Sequence, residues 1–473
     1  MDDALISRFA AVVGHKYAMR DADAKAPHLR EWRGRWTGTT PVVLKPSTVD
    51  EVSAIMKIAS QTKIAIVPQG GNTGLVGGQI PDASGNQIIL SLARMNRIRS
   101  IDADANTMTA DAGCILQSIQ EAASDHGRLF PLALAAQGSA TIGGNLATNA
   151  GGVGALAYGV ARDLCIGLEV VLADGTILDD LNTLKKNNTG YDLKNVFIGA
   201  EGTLGIITGA VLRLFPKPRG HATAFLGLPS PDAALVLFRQ AQSLAGSMLT
   251  ACEIMPRFGV EITVKHMDGT RDPLDEAHPW YLLMEVSSLS SDGNAQSLMT
   301  SIVETGFEQG LIADGALATS ETQRRALWAL REGMSEAQIP EGGSIKHDIS
   351  VPVSRVPQFM AQAQALVEAW EPDARVCAFG HLGDGNLHYN ISQPVGADKA
   401  AYLKRTPEIT VPLHDLVARH GGSISAEHGI GQMKRDELPR YKSQAALETM
   451  ATIKRALDPL GIMNPGKVLL SSD

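Results

Sequence analysis

The first half of the chain alternates short apolar runs with helical spacing of apolar residues. TPVVLKPSTVDEVSAIMKIASQTKIAIVPQ predicts a strand, a helix and a second strand, because Val52, Ile55 and Met56 recur at the helical period. Ser47 or Thr48 is expected to cap this helix. GNQIILSLARMN and NTMTADAGC predict two more strands, and LCIGLEVVLADGTIL predicts a strand pair around a turn.

The pattern changes at about residue 221, after Pro216 and Pro218. From there, predicted strands such as HATAFLGL and WYLLMEVSSL alternate with helices, which indicates an α+β domain with a mixed or antiparallel sheet. TQRRALWALREGMSEA predicts a strongly amphipathic helix. The last part, from Leu447 onward, predicts a helix followed by a loop and a short tail.

Composition and charge narrow the class of protein. A chain of 473 residues is too long for one ordinary core and predicts two or three domains. Its formal net charge of −8 argues against a nucleic-acid binder, because phosphate binding requires a basic surface. The four scattered cysteines form no CxxC pair, which argues against a thiolate metal site. Because no apolar run of roughly 18 residues and no signal-peptide core are found, a cytoplasmic protein without a transmembrane segment is expected.

Glycine clusters give the first indication of a ligand. VPQGGNTGLVGG follows a predicted strand at 67–78, and two further glycine-rich stretches span 138–159 and 199–208. Successive backbone N–H groups in such loops bind phosphate oxygens. The first loop has neither Rossmann nor Walker A spacing, and taken alone it is as consistent with a structural turn as with a ligand loop. Three such loops within one region fit one extended dinucleotide better than three unrelated turns.

Two histidines flank a glycine-rich turn in FGHLGDGNLHYN, and a third histidine follows an acid in SISAEHGIG. If the first segment forms a hairpin, the rings of His381 and His388 meet, and Glu427 completes a set of two histidines and one carboxylate. Three protein ligands suit a catalytic divalent metal, and imidazoles favour zinc, iron, manganese or cobalt. If SISAEHGIG forms an extended strand, the side chain of His428 points away from that of Glu427 and is free to act as a base near neutral pH. The alternatives to a metal site and a base are that the histidines are ordinary structural residues and that Glu427 and His428 cap a strand.

Cationic side chains in the second half are candidates for binding a carboxylate. LWALREGMSEA places Arg331 and Ser335 four residues apart on one helical face, and GGSIKHDISVP places Lys346 on a strand after a flexible loop. Arginine binds carboxylates in a bidentate manner, and lysine acts as a point charge. The simpler interpretation is a solvated, charged helix face.

Several of these motifs together resemble one protein family. PQGGNTG, ATIGGNLATNAGG and GAEGTLGIIT resemble the FAD-binding elements of the vanillyl-alcohol oxidase/p-cresol methylhydroxylase superfamily. GHLGDGNLH, AEHG and LWALREGMSEA resemble its D-2-hydroxyacid dehydrogenase branch, most of all the D-2-hydroxyglutarate dehydrogenases. The chain is also similar to D-lactate dehydrogenases and to the glycolate oxidase flavoprotein subunit. The resemblance runs from about Pro41 to Lys467.

The resemblance implies an α+β fold of the p-cresol methylhydroxylase type with three parts. An FAD-binding domain of two α/β subdomains, led by an N-terminal helix, would span 1–218. A substrate domain with a largely antiparallel sheet would span 219–425. A C-terminal segment over 426–473 would complete the active site and pack on the FAD domain.

The resemblance also implies which residues bind FAD. Residues 68–74 would cradle the pyrophosphate, and 138–154 would run along the isoalloxazine and ribityl side. Noncovalent FAD is expected, because no histidine or cysteine lies in the 67–78 loop. The implied cofactor-binding residues are Pro68, Gln69, Gly70, Gly71, Asn72, Thr73, Gly74, Leu75, Pro131, Gly138, Ser139, Thr141, Ile142, Gly143, Gly144, Asn145, Thr148, Asn149, Gly152, Gly154, Glu201, Gly205, Ile206 and Asn464.

Roles around the substrate follow from the same resemblance. The implied metal ligands are His381, His388 and Glu427, with zinc first and manganese, iron or cobalt as alternatives, and the implied catalytic base is His428. The residues implied to bind substrate are Arg331, Ser335, Lys346, Asn390 and His428. Ser335 departs from the threonine that hydroxyglutarate members often carry, which keeps the hydroxyl and leaves the identity of the acid open.

These roles imply FAD- and metal-dependent oxidation of a D-2-hydroxy acid to the 2-oxo acid. A metal on the hydroxyl and carboxylate oxygens lowers the hydroxyl pKa, His428 takes the proton, and flavin N5 takes the hydride. Two cations far from the metal would favour a dicarboxylate, D-2-hydroxyglutarate or D-malate. A single anchoring arginine would favour D-lactate or glycolate.

Other functions stay open from the sequence. The alternatives are a glycolate or D-lactate oxidoreductase subunit of a larger complex, a flavin-binding protein without turnover, and a zinc-stabilised structural protein. Because neither a second redox motif nor an NAD fingerprint is found, electrons are expected to leave to an electron-transfer flavoprotein or a quinone. A homodimer is implied by the resemblance alone.

Overall fold

A computed structural model of the chain describes residues 1–290 and 292–470. Its strands, in chain order, are β1 (Ala18–Met19), β2 (Val43–Leu44), β3 (Ala65–Gln69), β4 (Gln87–Ser91), β5 (Ile98–Asp102), β6 (Thr107–Asp111), β7 (Arg128–Leu129), β8 (Cys165–Val171), β9 (Ile177–Asp180), β10 (Ile206–Arg213), β11 (Phe215–Pro216), β12 (Gly220–Leu228), β13 (Leu249–Pro256), β14 (Trp280–Ser288), β15 (Asp314–Leu317), β16 (Ser344–Ser350), β17 (Arg375–His381) and β18 (Asn386–Ser392).

The α-helices, in chain order, are α1 (Asp3–Val13), α2 (Ala22–Leu29), α3 (Val49–Thr62), α4 (Leu116–Asp125), α5 (Ile142–Ala147), α6 (Ala155–Tyr158), α7 (Lys194–Phe197), α8 (Pro231–Ala245), α9 (Arg257–His266), α10 (Asp292–Glu308), α11 (Glu321–Ala337), α12 (Val356–Trp370), α13 (Lys399–Lys404), α14 (Thr406–Arg419), α15 (Leu438–Tyr441) and α16 (Gln444–Leu457). Short 3-10 helices occur at His15–Tyr17, Gly246–Met248 and Val353–Arg355. Among the described residues, no helix combines the length and apolar character that a membrane crossing requires.

The chain folds as two compact units. The first unit comprises Met1–Gly152, Gly159–Lys217 and His428–Asp473, and the second comprises Val153–Tyr158 and Pro218–Glu427. These boundaries differ from the three-part division expected from the sequence at three places, and at the first, between Lys217 and Pro218, the shift is one residue. The short helix α6 belongs to the second unit, and the second unit extends to Glu427, two residues beyond the expected end of the substrate domain.

The first unit contains two main sheets. In the four-stranded sheet, of order β1-β2-β4-β3, the strands β2, β4 and β3 run parallel. The five-stranded sheet, of order β5-β6-β10-β8-β9, is antiparallel and includes the strand pair expected at 164–178. Helix α3 packs its Val52, Ile55 and Met56 side into the core, and the Thr48 hydroxyl caps it by accepting the N–H of Glu51 at 3.2 Å.

The second unit contains one seven-stranded antiparallel sheet of order β15-β12-β14-β13-β17-β18-β16. Helices α8, α10, α12 and α14 cover one face, where the core is almost entirely apolar. Helices α9 and α11 cover the other face with a smaller apolar cluster. The largely antiparallel sheet predicted for this part of the chain is confirmed.

The strand register collects polar side chains on the face covered by α9 and α11. Lys346 on β16 pairs with Asn390 on β18, and Asp348 pairs with His388. Because alternate residues of a strand share a face, and directly paired residues share it as well, these four side chains lie on the same side of the sheet. This polar face is where the site of the second unit lies.

Candidate active site

The glycine loops of the first unit form one cavity. It encloses about 930 Å³ of empty space, counting the open solvent at its mouth. Of the residues predicted to bind a cofactor, those in its wall are Pro68, Gln69, Gly70, Gly71, Asn72, Thr73, Gly74, Thr141, Gly143, Gly144, Asn145, Thr148, Glu201, Gly205 and Ile206. His428 also lines the cavity. All three loops therefore contribute to one wall, as an extended ligand requires.

The wall of this cavity needs glycine where two backbone segments approach closely. A Cβ atom on Gly71 would lie 1.9 Å from the carbonyl oxygen of Ser139, a distance that no side chain permits. Three polar atoms buried in the wall, Asn72 Oδ1, Thr141 Oγ1 and Asn145 Oδ1, have no hydrogen-bond partner among the described residues. Because an unpaired buried polar atom is costly, these atoms indicate a ligand with hydroxyl or imide groups. The wall therefore fits a dinucleotide such as FAD.

The other residues predicted to bind a cofactor lie outside this wall. The Asn464 side chain belongs to the same unit and donates to the carbonyl oxygens of Gly78 at 2.9 Å and Glu201 at 2.8 Å. Gly154 belongs to the second unit. The remaining residues, all in the first unit, are Leu75, Pro131, Gly138, Ser139, Ile142, Asn149 and Gly152. Their roles toward a cofactor stay predictions.

Glu201 holds the segment that follows His428. Its two carboxylate oxygens accept the backbone N–H groups of Ile430 at 2.7 Å and Gly431 at 2.8 Å. Burial raises the pKa of Glu201 to about 7, although these two N–H groups act in the opposite direction. The residues around His428 form bends, not the extended strand considered for them in the sequence. Glu201 therefore holds the backbone of the turn that follows His428.

The hairpin of β17 and β18 brings two histidines together in the second unit. The ring centroids of His381 and His388 are 5.7 Å apart. Glu427 Oε1 lies 3.6 Å from His381 Nε2, and one donor atom from each of the three residues lies within 4.8 Å of the other two. Burial raises the pKa of Glu427 to about 7, against the opposing effect of His381. Two imidazoles and a carboxylate at this spacing fit a divalent metal such as zinc, with positions left for a substrate.

A buried carboxylate, Glu253 on β13, lies behind His381. Glu253 pairs with His381 in the sheet, and its Oε1 accepts a hydrogen bond from His381 Nδ1 at 2.7 Å. Its Oε2 accepts a hydrogen bond from Arg331 Nε, also at 2.7 Å. Burial alone would raise the pKa of Glu253, but the two partners outweigh it and hold the pKa at about 2. The carboxylate also outweighs the effect of burial on His381 and raises the His381 pKa to about 9.

Asp348 is a second buried carboxylate beside the histidine pair. Its Oδ2 accepts the backbone N–H of Glu427 at 2.9 Å, and its Oδ1 accepts a hydrogen bond from the Asn386 side chain at 3.0 Å. The same Oδ1 lies 3.9 Å from His388 Nδ1. Asp348 therefore fixes the backbone of one proposed ligand and lies next to the ring of another.

The predicted anchors for a carboxylate occupy different environments. Arg331 is buried, and its guanidinium carbon lies 4.7 Å from the centroid of the Phe379 ring. Lys346 is half-buried and donates to Gln338 Oε1 at 3.3 Å, and Asn390 is buried on the polar face. Ser335, one helical turn after Arg331, is exposed. The second unit thus brings Arg331 close to the histidine pair through Glu253, while the contacts of Ser335 stay a prediction.

Sequence reasoning missed Glu253 and Asp348. Each is an acid inside a strand of otherwise apolar or site residues, in ACEIMP and in SIKHDIS. A charge in a buried strand is unfavourable unless it is paired, so an acid in such a strand predicts that a buried partner lies beside it. The sequence could not show which residue pairs with it, because Glu253 and His381 are 128 positions apart in the chain.

Two family models match the chain. The model described as FAD binding domain matches residues 40–180, and the model described as FAD linked oxidases, C-terminal domain, matches residues 217–468. The second match alone covers more than half of the chain.

Named relatives match the chain over nearly all of its length. The mitochondrial D-2-hydroxyglutarate dehydrogenase of Arabidopsis thaliana is 36% identical over 469 residues, covering 99% of this chain and 82% of that protein. The D-2-hydroxyglutarate dehydrogenase of Xanthomonas citri pv. viticola is 38% identical over 444 residues, covering 94% of this chain and 92% of that protein.

One solved structure, p-cresol methylhydroxylase with substrate bound, superposes with a TM-score of 0.77. It is 18% identical and covers 98% of this chain and 96% of that chain. At that identity the likeness concerns the fold alone, and it confirms the predicted α+β fold of this type.

Proposed function

Because the chain belongs to the family of FAD-linked oxidases, we propose that it oxidises a D-2-hydroxy acid to the 2-oxo acid, with D-2-hydroxyglutarate as the leading substrate. It is an FAD-binding oxidoreductase, as the family match and the dehydrogenase relatives establish. The observation that carries the choice of substrate class is the cluster of His381, His388 and Glu427, linked through Glu253 to the buried Arg331.

The first unit supplies the residues that would hold FAD. The three glycine loops would wrap the cofactor, and the unpaired Asn72, Thr141 and Asn145 oxygens would bind its polar groups. When bound, FAD supplies the acceptor for the hydride that leaves the substrate. His428, in the wall of the same cavity, is the proposed base that accepts the hydroxyl proton.

The second unit supplies the residues that would hold a metal and the acid. His381, His388 and Glu427 would bind a divalent metal, which when bound polarises the substrate hydroxyl. Glu427 and His428 are consecutive residues, so the chain itself keeps the proposed base within one residue of a proposed ligand. Arg331 and Lys346 would bind the carboxylate remote from the reacting carbon, and Asn390 would orient the substrate.

Two cationic anchors support a dicarboxylate over a monocarboxylate. Lactate has one carboxylate, which the metal would already bind, so Arg331 and Lys346 would have no partner in it. Arg331 already pairs with Glu253 through Nε, so the shorter acid would leave only the N–H groups on its Nη atoms without a carboxylate to bind, and this loss would select against that acid. D-2-hydroxyglutarate and D-malate both carry a second carboxylate.

Anaerobic titration of the purified protein with D- and L-2-hydroxy acids tests the proposal. The flavin absorbance is expected to bleach with D-2-hydroxyglutarate, and to bleach less readily with D-malate and D-lactate. The L-acids are expected to leave it unchanged. Bleaching by D-lactate or glycolate at lower concentration than by any dicarboxylate would replace the leading substrate. A yellow protein whose flavin absorbance no 2-hydroxy acid changes would contradict the proposal.

Lys346→Ala is expected to raise the KM for D-2-hydroxyglutarate about 10- to 100-fold, because a hydrogen bond to a charged group is lost. The KM for D-lactate should change less than about threefold, since lactate has no second carboxylate. Steady-state kinetics with both acids would check this. Lys399→Ala removes the same charge from an exposed helix start and is the matched control. Equal changes for both acids would contradict the assignment of Lys346 to a second carboxylate.

FAD is expected to leave the protein on acid precipitation. The first glycine loop carries no histidine or cysteine, the residues through which a covalent flavin link would form there. After precipitation and centrifugation, the yellow colour should be in the supernatant. Colour retained in the washed pellet would show a covalent link and refute the noncovalent assignment.

The electron acceptor and the assembly state stay predictions. We propose an electron-transfer flavoprotein or a quinone as acceptor, and a homodimer in the cytoplasm, on the grounds given for the sequence.

A further inference from the structure

Glu253 is a buried carboxylate whose two oxygens are both used by predicted site residues. Its side chain is 1% exposed, Oε1 accepts from His381 Nδ1, and Oε2 accepts from Arg331 Nε. Burying an ionised carboxylate is unfavourable unless it is fully paired, and an apolar side chain in its place would pack at lower cost. The two partners are the first proposed metal ligand and the first proposed anchor for the substrate.

The hydrogen bond to His381 fixes which ring nitrogen faces the cluster. A carboxylate only accepts, so Nδ1 carries the proton of this hydrogen bond, and Nε2 is the nitrogen that would bind a metal once its own proton is lost. Nε2 is the nitrogen on the side of Glu427, 3.6 Å from its Oε1. A carboxylate behind a histidine in this way orients the ring and raises its basicity as a ligand.

The hydrogen bond to Arg331 fixes the orientation of the guanidinium group in the same manner. Of the five N–H donors of arginine, Glu253 takes the one on Nε, and four remain on the two Nη atoms. Among the described residues none accepts from either Nη atom of Arg331. The end of the guanidinium group is therefore the part left to bind a planar anion in a bidentate manner.

We propose that Glu253 is a positioning residue that sets the geometry of both the metal site and the substrate-carboxylate site through its two oxygens. This inference rests on the proposed function, since it assigns Glu253 to the same site. It goes beyond that function by linking two binding steps, metal and anion, to one residue that touches neither. Loss of Glu253 is expected to weaken both steps at once.

Glu253→Gln tests the link with little change in volume. Both neighbours present N–H donors to this side chain, and glutamine offers one acceptor and one donor where glutamate offers two acceptors. One of the two contacts must therefore be lost, or His381 must move its proton to Nε2, the nitrogen that would bind the metal, and either change impairs the site. Wild-type and variant holoprotein, with FAD bound and metal stripped, would be titrated with Zn²⁺ by calorimetry, and the zinc-loaded forms with 2-oxoglutarate by the change in flavin absorbance.

The expected result is a Kd for Zn²⁺ raised 10- to 100-fold, the usual effect of removing a carboxylate behind a metal-binding histidine, and a Kd for 2-oxoglutarate raised at least about tenfold. Glu253→Asp keeps both acceptors and is expected to recover part of both affinities. If the glutamine variant does not fold, the aspartate variant, compared with wild type, gives the same two readouts with smaller shifts.

Glu285→Gln is the matched control. Glu285 is a buried carboxylate on the neighbouring strand β14 and accepts hydrogen bonds from Arg324 and Trp328, both on α11, the helix that also carries Arg331. Its partners are not site residues, so both affinities should stay within about threefold of wild type even if the melting temperature falls. Equal losses in both variants would reduce Glu253 to a structural role and overturn the inference.

The outcomes separate this inference from the proposed function. If wild-type protein binds no Zn²⁺, the proposed metal site fails, and the inference fails with it. If wild-type protein binds Zn²⁺ and 2-oxoglutarate, and Glu253→Gln matches it within about threefold for either ligand, only the inference fails. A parallel rise in both dissociation constants, confined to the Glu253 variants, supports it.

Discussion

His388→Ala is expected to lower kcat/KM for the 2-hydroxy acid roughly 1,000-fold while the flavin stays bound. A metal that polarises the substrate oxygen contributes several kcal/mol to the transition state, and each 1.36 kcal/mol is tenfold in rate. Two remaining ligands hold zinc far more weakly than three. The FAD cavity is built by the first unit, whereas His388 belongs to the second, so flavin content should be unchanged.

Metal content, flavin content and steady-state kinetics would be measured together. Wild-type protein dialysed against a chelator should match the variant in rate, and added Zn²⁺, Mn²⁺ or Co²⁺ should restore the wild type but not His388→Ala. His420→Ala, in the same unit, removes a buried histidine that contacts Gln362 at 3.0 Å outside the site, and it should keep near wild-type activity. Full turnover by chelated, metal-free wild type would contradict the metal role.

The local parts of this site could be predicted from the sequence. The glycine loops were recognisable because phosphate and flavin binding require exposed backbone N–H groups and close backbone approach, which only glycine tolerates. The paired histidines were recognisable because six intervening residues with two glycines predict a hairpin. Each of these features is contained within some twenty consecutive residues.

The long-range contacts that orient the glycine loops and the histidine hairpin could not be predicted from the sequence. Glu201 reaches Ile430 across 229 positions of the chain, and Glu253 reaches His381 across 128. Such contacts depend on strand order and register, and a one-residue shift of register moves every side chain to the opposite face. The sequence therefore indicates which groups perform the chemistry, while the fold determines which buried acids align them.

The boundary between the two units, like these contacts, could not be predicted from the sequence. Glu427 ends the second unit and His428 begins the continuation of the first. A boundary at this bond was not visible in the sequence, where AEHG was a single motif. The proposed ligand and the proposed base are thus neighbours in the chain, and different buried acids hold the backbone near each of them, Asp348 at Glu427 and Glu201 after His428.

His428→Ala is expected to slow flavin reduction by the 2-hydroxy acid about 100- to 10,000-fold, the usual range for loss of a positioned base. The hydroxyl proton then has no acceptor when the hydride leaves. Anaerobic stopped-flow absorbance would measure this single step apart from later electron transfer. The affinity for the 2-oxo acid should change much less than the rate, because the anchors Arg331 and Lys346 are intact.

Gln432→Ala is the control for damage to the segment. The Gln432 side chain donates to the carbonyl oxygens of Gly77 at 2.8 Å and Ile80 at 3.2 Å, so its loss disturbs the same turn without removing the base. Its rate of flavin reduction should stay within about tenfold of wild type. Added imidazole should partly restore His428→Ala and leave Gln432→Ala unchanged, because a small base replaces a missing proton acceptor but not a displaced loop. If His428→Ala reduces its flavin as fast as wild type, the base is another residue.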